Sequence, residues 1–112
     1  MSRYVFISLM NAVEGKEAEY DAWYGKVHLP EVLQIPGFVA AQRFRLGAAQ
    51  LAGMTPKWKY LVVYEIEGES VERALAELSR RIGEGEMIVS PALAPDVAAW
   101  SYSPMEPRCT AG

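Results

Sequence analysis

Two segments with helical periodicity interrupt four segments with strand character in this chain, and the resulting β-α-β-β-α-β order limits the fold more than any other feature. The strand segments are rich in aromatic and β-branched side chains; they are residues 3–10, 38–46, 58–66 and 96–102. The helical segments run from Asn11 to about His28 and from Ser70 to about Ile82. This order predicts the ferredoxin-like α+β fold, in which two helices cover one face of a four-stranded antiparallel sheet.

Local signals predict where each helix begins and which face it buries. Asn11 and Glu14 have the spacing of a capping box, which predicts that the first helix begins directly after the first strand. Ser70 is a suitable N-cap for the second helix, and Gly83 a suitable end. The predicted buried stripes are Tyr20, Trp23 and Val27 in the first helix, and Val71, Leu75, Leu78 and Ile82 in the second.

The predicted strands are apolar on both faces. In the first strand, Phe6 and Ile7 point to opposite sides of the sheet. Two helices can cover only one side, so we expect a homodimer in which two sheets pack face to face. In the second strand, alternation predicts one face with Phe38, Ala40, Gln42 and Phe44, and another with Val39, Ala41, Arg43 and Arg45.

Length and composition predict one domain, residues 1–103, followed by an irregular tail, residues 104–112. The net charge of -3 and the absence of a basic run argue against nucleic acid as a partner. No apolar stretch reaches the length that crosses a membrane. One histidine and one cysteine cannot build a Cys/His zinc site or an intrachain disulfide. We therefore expect a cytoplasmic protein without a metal or another cofactor.

The segment from Trp23 to Gly37, WYGKVHLPEVLQIPG, contains the strongest candidate site. His28 is the only imidazole, and imidazole is the side chain best suited to moving protons near neutral pH. Tyr24, four residues earlier on the same helical face, could orient His28 or donate to a substrate oxygen. The structural alternatives are a helix-end histidine that complements the helix dipole and a half-buried tyrosine with its hydroxyl in water.

Four further residues are candidates for substrate binding. Asn11 lies where the first strand ends and could present its amide to a ligand instead of capping a helix. Arg43 could bind a substrate carboxylate, or pair with an acid on a neighbouring strand. Trp23 and Leu33 would supply apolar surface near His28.

These motifs resemble the EthD-like group of dimeric α+β barrel proteins. The residues that carry the resemblance are Trp23, Tyr24, Val27, His28, Leu29, Pro30, Val32, Pro36-Gly37-Phe38, Gln42-Arg43-Phe44, the strand YLVVYE from Tyr60 to Glu65, and Ser90-Pro91. Relatives in this superfamily include polyketide cyclases, muconolactone isomerases, cofactor-free monooxygenases, decarboxylases and haem-degrading proteins. The resemblance implies a homodimer with one pocket per subunit between the helices and the sheet.

Such a pocket suits a small hydrophobic molecule, aromatic or polyketide-like, that undergoes cofactor-free isomerisation, cyclisation, decarboxylation or a related step. His28 would be the acid/base, with Tyr24 beside it. Two alternatives remain open at this point. One is a non-catalytic binding or accessory protein with the same pocket, and the other is a haem protein with His28 as axial ligand.

Overall fold

All four predicted strands form one antiparallel sheet in the computed structural model, which describes residues 3–112. The strands are β1 (Arg3–Met10), β2 (Phe38–Arg45), β3 (Tyr60–Glu67) and β4 (Ala98–Tyr102). Their order across the sheet is β2-β3-β1-β4. The central strands β1 and β3 pair along their whole lengths, from Arg3 opposite Glu67 to Met10 opposite Tyr60. The predicted ferredoxin-like topology is confirmed.

The helices lie on one face of this sheet. The first helical segment consists of α1 (Glu17–Trp23), a π-helical turn (Tyr24–His28) and α2 (Leu29–Val32), and the second is α3 (Val71–Gly83). Side chains from the helices, the sheet and residues 84–95 form the buried core between them: Met10, Tyr20, Tyr24, Val32, Ile35, Phe38, Val62, Tyr64, Ile66, Ala74, Met87 and Ala92. In residues 3–112, no helix combines the length and apolarity that a membrane crossing requires.

Asn11 braces a loop and does not cap a helix. Its Oδ1 accepts from the Lys59 backbone N–H at 2.8 Å, and its Nδ2 donates to the Lys57 carbonyl at 3.1 Å. Helix α1 begins only at Glu17, after Lys16, and no side chain caps it. The predicted capping box is therefore wrong, because the Asn11 amide satisfies backbone groups of the segment that leads into β3.

The π-helical turn changes which residues of the first helical segment are buried. The Leu29 N–H bonds to the carbonyl of Tyr24, five residues earlier, so this turn is wider than an α-helical turn. The predicted inward position of Val27 is wrong, since this side chain is 46% exposed. Tyr24 is buried at 2% exposure. The wide turn thus brings Tyr24 and His28 onto the inner side and leaves Val27 outside.

A β-bulge has a similar effect on β2. Phe38 is opposite Ile66, but the register shifts before Ala40, which is opposite Glu65. Beyond the bulge, Arg43 is paired with the buried Val62. Arg43 therefore lies on the helix-covered face of the sheet, as Phe38 does. The predicted alternation is wrong beyond Val39, since the extra residue inverts the facing of the rest of the strand.

Helix α3 follows the sequence prediction closely. The Ser70 hydroxyl accepts from the Arg73 N–H at 3.2 Å, which confirms the predicted N-cap. Val71, Leu75 and Leu78 pack against the core, with the buried Ala74 between them. Ile82, the last residue of the predicted buried stripe, is 39% exposed and lies at the edge of the core.

The other face of the sheet is apolar, and no helix within residues 3–112 covers it. Strand pairing places Ile7 between Val63 of β3 and Trp100 of β4, and Phe44 beside Leu61. Trp100 is 57% exposed and Phe44 is 43% exposed. We call this surface the open face; it comprises Val5, Ile7, Leu9, Phe44, Leu61, Val63, Trp100 and Tyr102.

Candidate functional site

His28 lies at the end of the π-helical turn, between two aromatic rings. Its imidazole stacks on the Trp23 indole, with centroids 4.8 Å apart and planes 29° apart. The Tyr24 ring meets it edge-on, also at 4.8 Å. The Nδ1 atom of His28 is buried and has no hydrogen-bond partner among the described residues. Burial lowers the pKa of His28 to about 4, so the imidazole is neutral at pH 7.

The Tyr24 hydroxyl is directed to the sheet. It forms a short hydrogen bond with the Tyr64 hydroxyl on β3, and both side chains are fully buried. Burial raises the pKa of Tyr64 to about 12, and it raises the pKa of Tyr24 as well. The alternative of a Tyr24 hydroxyl in water is wrong. Tyr24 contacts His28 through its ring alone, so its hydroxyl does not form a hydrogen-bonded pair with the imidazole.

Arg43 reaches the same cluster from β2. Its guanidinium carbon lies 5.2 Å from the centre of the Tyr24 ring and 5.6 Å from that of the Tyr20 ring. The acid that pairs with Arg43 is Asp21 on α1, at 2.9 Å, and not a residue of a neighbouring strand. The guanidinium packs closely against Gly25, which has no Cβ; a Cβ at that position would lie only 3.1 Å from Arg43 Nη1. Arg43 thereby ties β2 to the first helical segment.

The space between α1 and the sheet is filled by tyrosine side chains. Tyr20 and Tyr60 have ring centroids 4.6 Å apart, and Tyr20 and Tyr24 have centroids 5.8 Å apart. The Tyr20 hydroxyl is buried without a hydrogen-bond partner in the described part of the chain. Burial raises its pKa, and the nearby Arg43 charge opposes that rise.

A depression of about 310 Å³ opens next to this cluster. We call it the Trp23 depression; its lining residues are Trp23, Val27, Glu31, Glu86, Ile88 and Ser90. The Trp23 indole N–H donates to the Ile88 carbonyl at 3.2 Å, which fixes one wall. The first helical segment therefore forms one side of the depression, and residues 86–90 form the other.

Glu31 is the residue at this site that the sequence analysis missed. Its Oε1 atom is buried and has no hydrogen-bond partner within residues 3–112. It follows His28 by three residues, a spacing that places two side chains on neighbouring positions of one helical face. That spacing was visible in the sequence, but glutamate near a helix end is common and carries no specific signal.

The predicted site residues thus separate into two groups. His28, Tyr24, Trp23 and Arg43 are connected through ring and cation contacts. Asn11 is engaged with the loop before β3, and Leu33 lies at the end of α2 with 40% of its surface exposed. No group of three or more His, Cys, Asp or Glu side chains within residues 3–112 is placed to hold a metal ion.

No protein-family model and no curated protein matches the sequence. Solved structures do match it over nearly its whole length. A protein from Arabidopsis thaliana, At3g17210, is similar with a TM-score of 0.69 at 16% identity, covering 95% of this chain and 99% of that one. An ethyl tert-butyl ether D (EthD) family protein from Bacillus halodurans has a TM-score of 0.55 at 15% identity, with coverages of 92% and 99%.

A third similar structure is a dimeric ferredoxin-like protein of unknown function from Thermobifida fusca. Its TM-score is 0.52 at 17% identity, and the match covers 91% of each chain. At these identities the likeness is one of fold. The chain has the ferredoxin-like fold that these structures share.

Proposed function

We propose that this protein is a cofactor-independent enzyme that moves a proton on a small hydrophobic molecule, with His28 as the acid/base. The observation that carries the proposal is the His28 Nδ1 atom, which is buried, has no hydrogen-bond partner in residues 3–112, and is held between two rings. A buried acceptor without a partner costs free energy that a bound ligand with a donor would recover. A positioned acid/base of this kind contributes about 10²–10⁴-fold to a rate.

The surroundings of His28 keep its imidazole neutral in the free protein, although the same burial makes it a weaker base than a solvated histidine. The lowered pKa keeps the imidazole neutral in the free protein, and only a neutral imidazole can accept a proton. Once formed, an imidazolium would lie against the face of the Trp23 indole, whose electron-rich surface stabilises a cation. We therefore expect a ligand with an enolisable C–H or an acidic hydroxyl, and with aromatic or polyketide-like apolar surface.

A non-catalytic binding or accessory protein is the second candidate, and one observation favours it. The Tyr24 hydroxyl is bonded to Tyr64, so no second titratable hydroxyl is positioned on His28. Proton relay would then need a group from the ligand or from a nearby side chain such as Glu31. With neither in place, the same site would bind a ligand without transforming it.

The test uses 2-tetralone, an aromatic ketone with acidic C–H groups, and follows deuterium exchange at these positions by NMR. We expect the wild-type protein to accelerate exchange and His28→Gln to lose about 100-fold or more of that acceleration. Glu14→Gln is the matched control, because Glu14 is exposed and lies outside the site. Binding of 2-tetralone without acceleration would favour the binding protein. Equal acceleration by His28→Gln would contradict the acid/base role.

We further propose that two copies assemble through the open face. The apolar side chains of this face, with Trp100 and Tyr102 more than half exposed, support this assembly. A face-to-face pair of sheets would bury about 2,000 Å² or more in total, as obligate dimers do. A cytoplasmic location is part of the proposal, since the single cysteine, Cys109, is exposed and unpaired.

A further inference from the structure

The Trp23 depression carries negative charge that nothing in its lining neutralises. Its lining has two carboxylates, those of Glu31 and Glu86, and no basic side chain. The Glu86 carboxylate is paired with Arg80 at 2.7 Å, so its charge is compensated. Glu31 forms no ion pair within residues 3–112. One uncompensated carboxylate therefore remains in the depression.

The rest of the lining is aromatic and aliphatic. Trp23 contributes its indole, which is held in place by the hydrogen bond to the Ile88 carbonyl. Val27 and Ile88, which are 46% and 75% exposed, add aliphatic surface. An aromatic face beside an uncompensated carboxylate is the combination that recognises organic cations.

The buried oxygen of Glu31 is the second observation that indicates a ligand. Its Oε1 atom has neither solvent contact nor a hydrogen-bond partner in the structure. Leaving a carboxylate oxygen buried and unpaired is costly, and a donor group is what would satisfy it. A cationic ligand in the depression would supply the positive charge that the Glu31 carboxylate lacks.

We propose that the Trp23 depression binds a small aromatic amine as its ammonium form, with the ammonium group at Glu31 and the ring against Trp23, Val27 and Ile88. This inference deepens the proposed function, on which it rests for the chemistry at His28. The His28 imidazole stacks on the same indole, so Trp23 connects this depression to the proposed acid/base. The site then selects for charge through Glu31 and for shape through Trp23.

Three probes of nearly equal size test the charge preference at neutral pH: phenethylamine as the cation, 2-phenylethanol as the neutral analogue and phenylacetate as the anion. We expect phenethylamine to bind about tenfold more tightly than 2-phenylethanol, from a cation–π contact together with an ion pair. Phenylacetate should bind most weakly. The indole N–H signal of Trp23, assigned with Trp23→Phe, reports by NMR whether the probe occupies this depression.

Two variants separate the role of Glu31 from general charge effects. Glu31→Gln should remove the preference for phenethylamine over 2-phenylethanol, while Glu14→Gln should retain it. Thermal unfolding of each variant shows whether it folds. Binding of phenylacetate as tight as that of phenethylamine, an unmoved Trp23 signal at saturation, a preference that survives Glu31→Gln, or no binding by any probe would overturn the inference.

The outcome for this site is separable from the outcome for His28. If phenethylamine binds as described while 2-tetralone exchange is not accelerated, the cation site stands and the acid/base function fails. If exchange is accelerated and phenethylamine shows no preference, the acid/base function stands and the cation site fails.

Discussion

The hydroxyl of Tyr24, on the π-helical turn, is hydrogen-bonded to the hydroxyl of Tyr64, on the central strand β3. The Tyr24 ring is at the same time edge-on against His28. One side chain therefore fixes the position of the turn on the sheet and forms part of the surroundings of the imidazole. Stability and site geometry are linked through this residue, and the first prediction follows from that link.

The Tyr24–Tyr64 pair should show strong non-additivity in stability. Tyr24→Phe or Tyr64→Phe alone leaves one buried hydroxyl without a partner, which costs about 1–3 kcal/mol of unfolding free energy. The double variant removes both hydroxyls and should be less destabilised than the two single changes together. Urea unfolding of the four proteins measures this coupling. Strictly additive losses would show that the two hydroxyls do not depend on one another.

His28 should make stability depend on pH in the mildly acidic range. The pKa of His28 is about 4 in the folded protein, against 6.5 ordinarily, because of burial. Below about pH 6.5 the unfolded chain binds a proton that the folded protein does not, so the unfolding free energy falls as the pH drops towards about 4. We expect a loss of about 2 kcal/mol over this range in wild-type protein and a smaller loss in His28→Gln.

Two measurements check the role of His28 in this pH dependence. The NMR titration of the single histidine gives its pKa directly, and urea unfolding at several pH values gives the slope. Hydrogen bonds from Arg80 and Arg81 lower the pKa of Glu77 to about 2. The stability that this carboxylate adds is therefore lost mainly between about pH 4.5 and pH 2, below most of the range in which His28 acts. A His28 pKa near 6.5 would show that the imidazole is solvated.

A charge on the open face should separate the proposed dimer. Phe44→Glu places a carboxylate beside Leu61, and two-fold symmetry places it in the interface twice. Sedimentation velocity should show a dimer for wild-type protein and a monomer for this variant. Leu33→Glu is the control, because Leu33 is similarly exposed but lies on the helical side. A wild-type monomer at micromolar concentration would contradict the assembly.

Removing the amide of Asn11 should loosen the segment that leads into β3. Asn11→Ala deletes the bonds to Lys57 and Lys59, and we expect it to cost about 1–2 kcal/mol of unfolding free energy. Asn11→Asp keeps the acceptor for the Lys59 N–H and loses only the donor, so its cost should be smaller. Hydrogen exchange of the Lys59 amide checks the contact, and an unchanged rate in Asn11→Ala would contradict the brace.

The strands and α3 were predictable because their signals are local and repeated. Strand β1 has its predicted bounds, Arg3–Met10, and Ser70 caps α3 as its sequence position indicates. The fold follows from the order of such elements, so errors of one or two residues at their ends do not change it. The prediction for Asn11 was wrong because an amide at a strand end can form hydrogen bonds equally well with the N–H groups of a helix N-terminus or with a neighbouring loop. Only the path of the chain decides which of these groups it meets.

The candidate site was predictable in its residue types but not in its contacts. His28 and Tyr24 do lie on one side of the helical segment, as their spacing predicts. The wide turn that buries them has no sequence signal in a single chain, and it moves Val27 outwards. The partners of these residues, Tyr64 and Asp21, depend on strand register and helix placement, which periodicity alone does not determine.

The bulge at the start of β2 has a consequence for both sides of the sheet. One additional residue after Phe38 sends Arg43 towards the tyrosines and Phe44 towards the open face. If β2 paired with β3 without the bulge and kept Val39 in the ladder, these two destinations would exchange, carrying a guanidinium into the proposed subunit contact and a phenyl ring among the tyrosines. The proposed acid/base site and the proposed subunit contact therefore both depend on one bulge in β2.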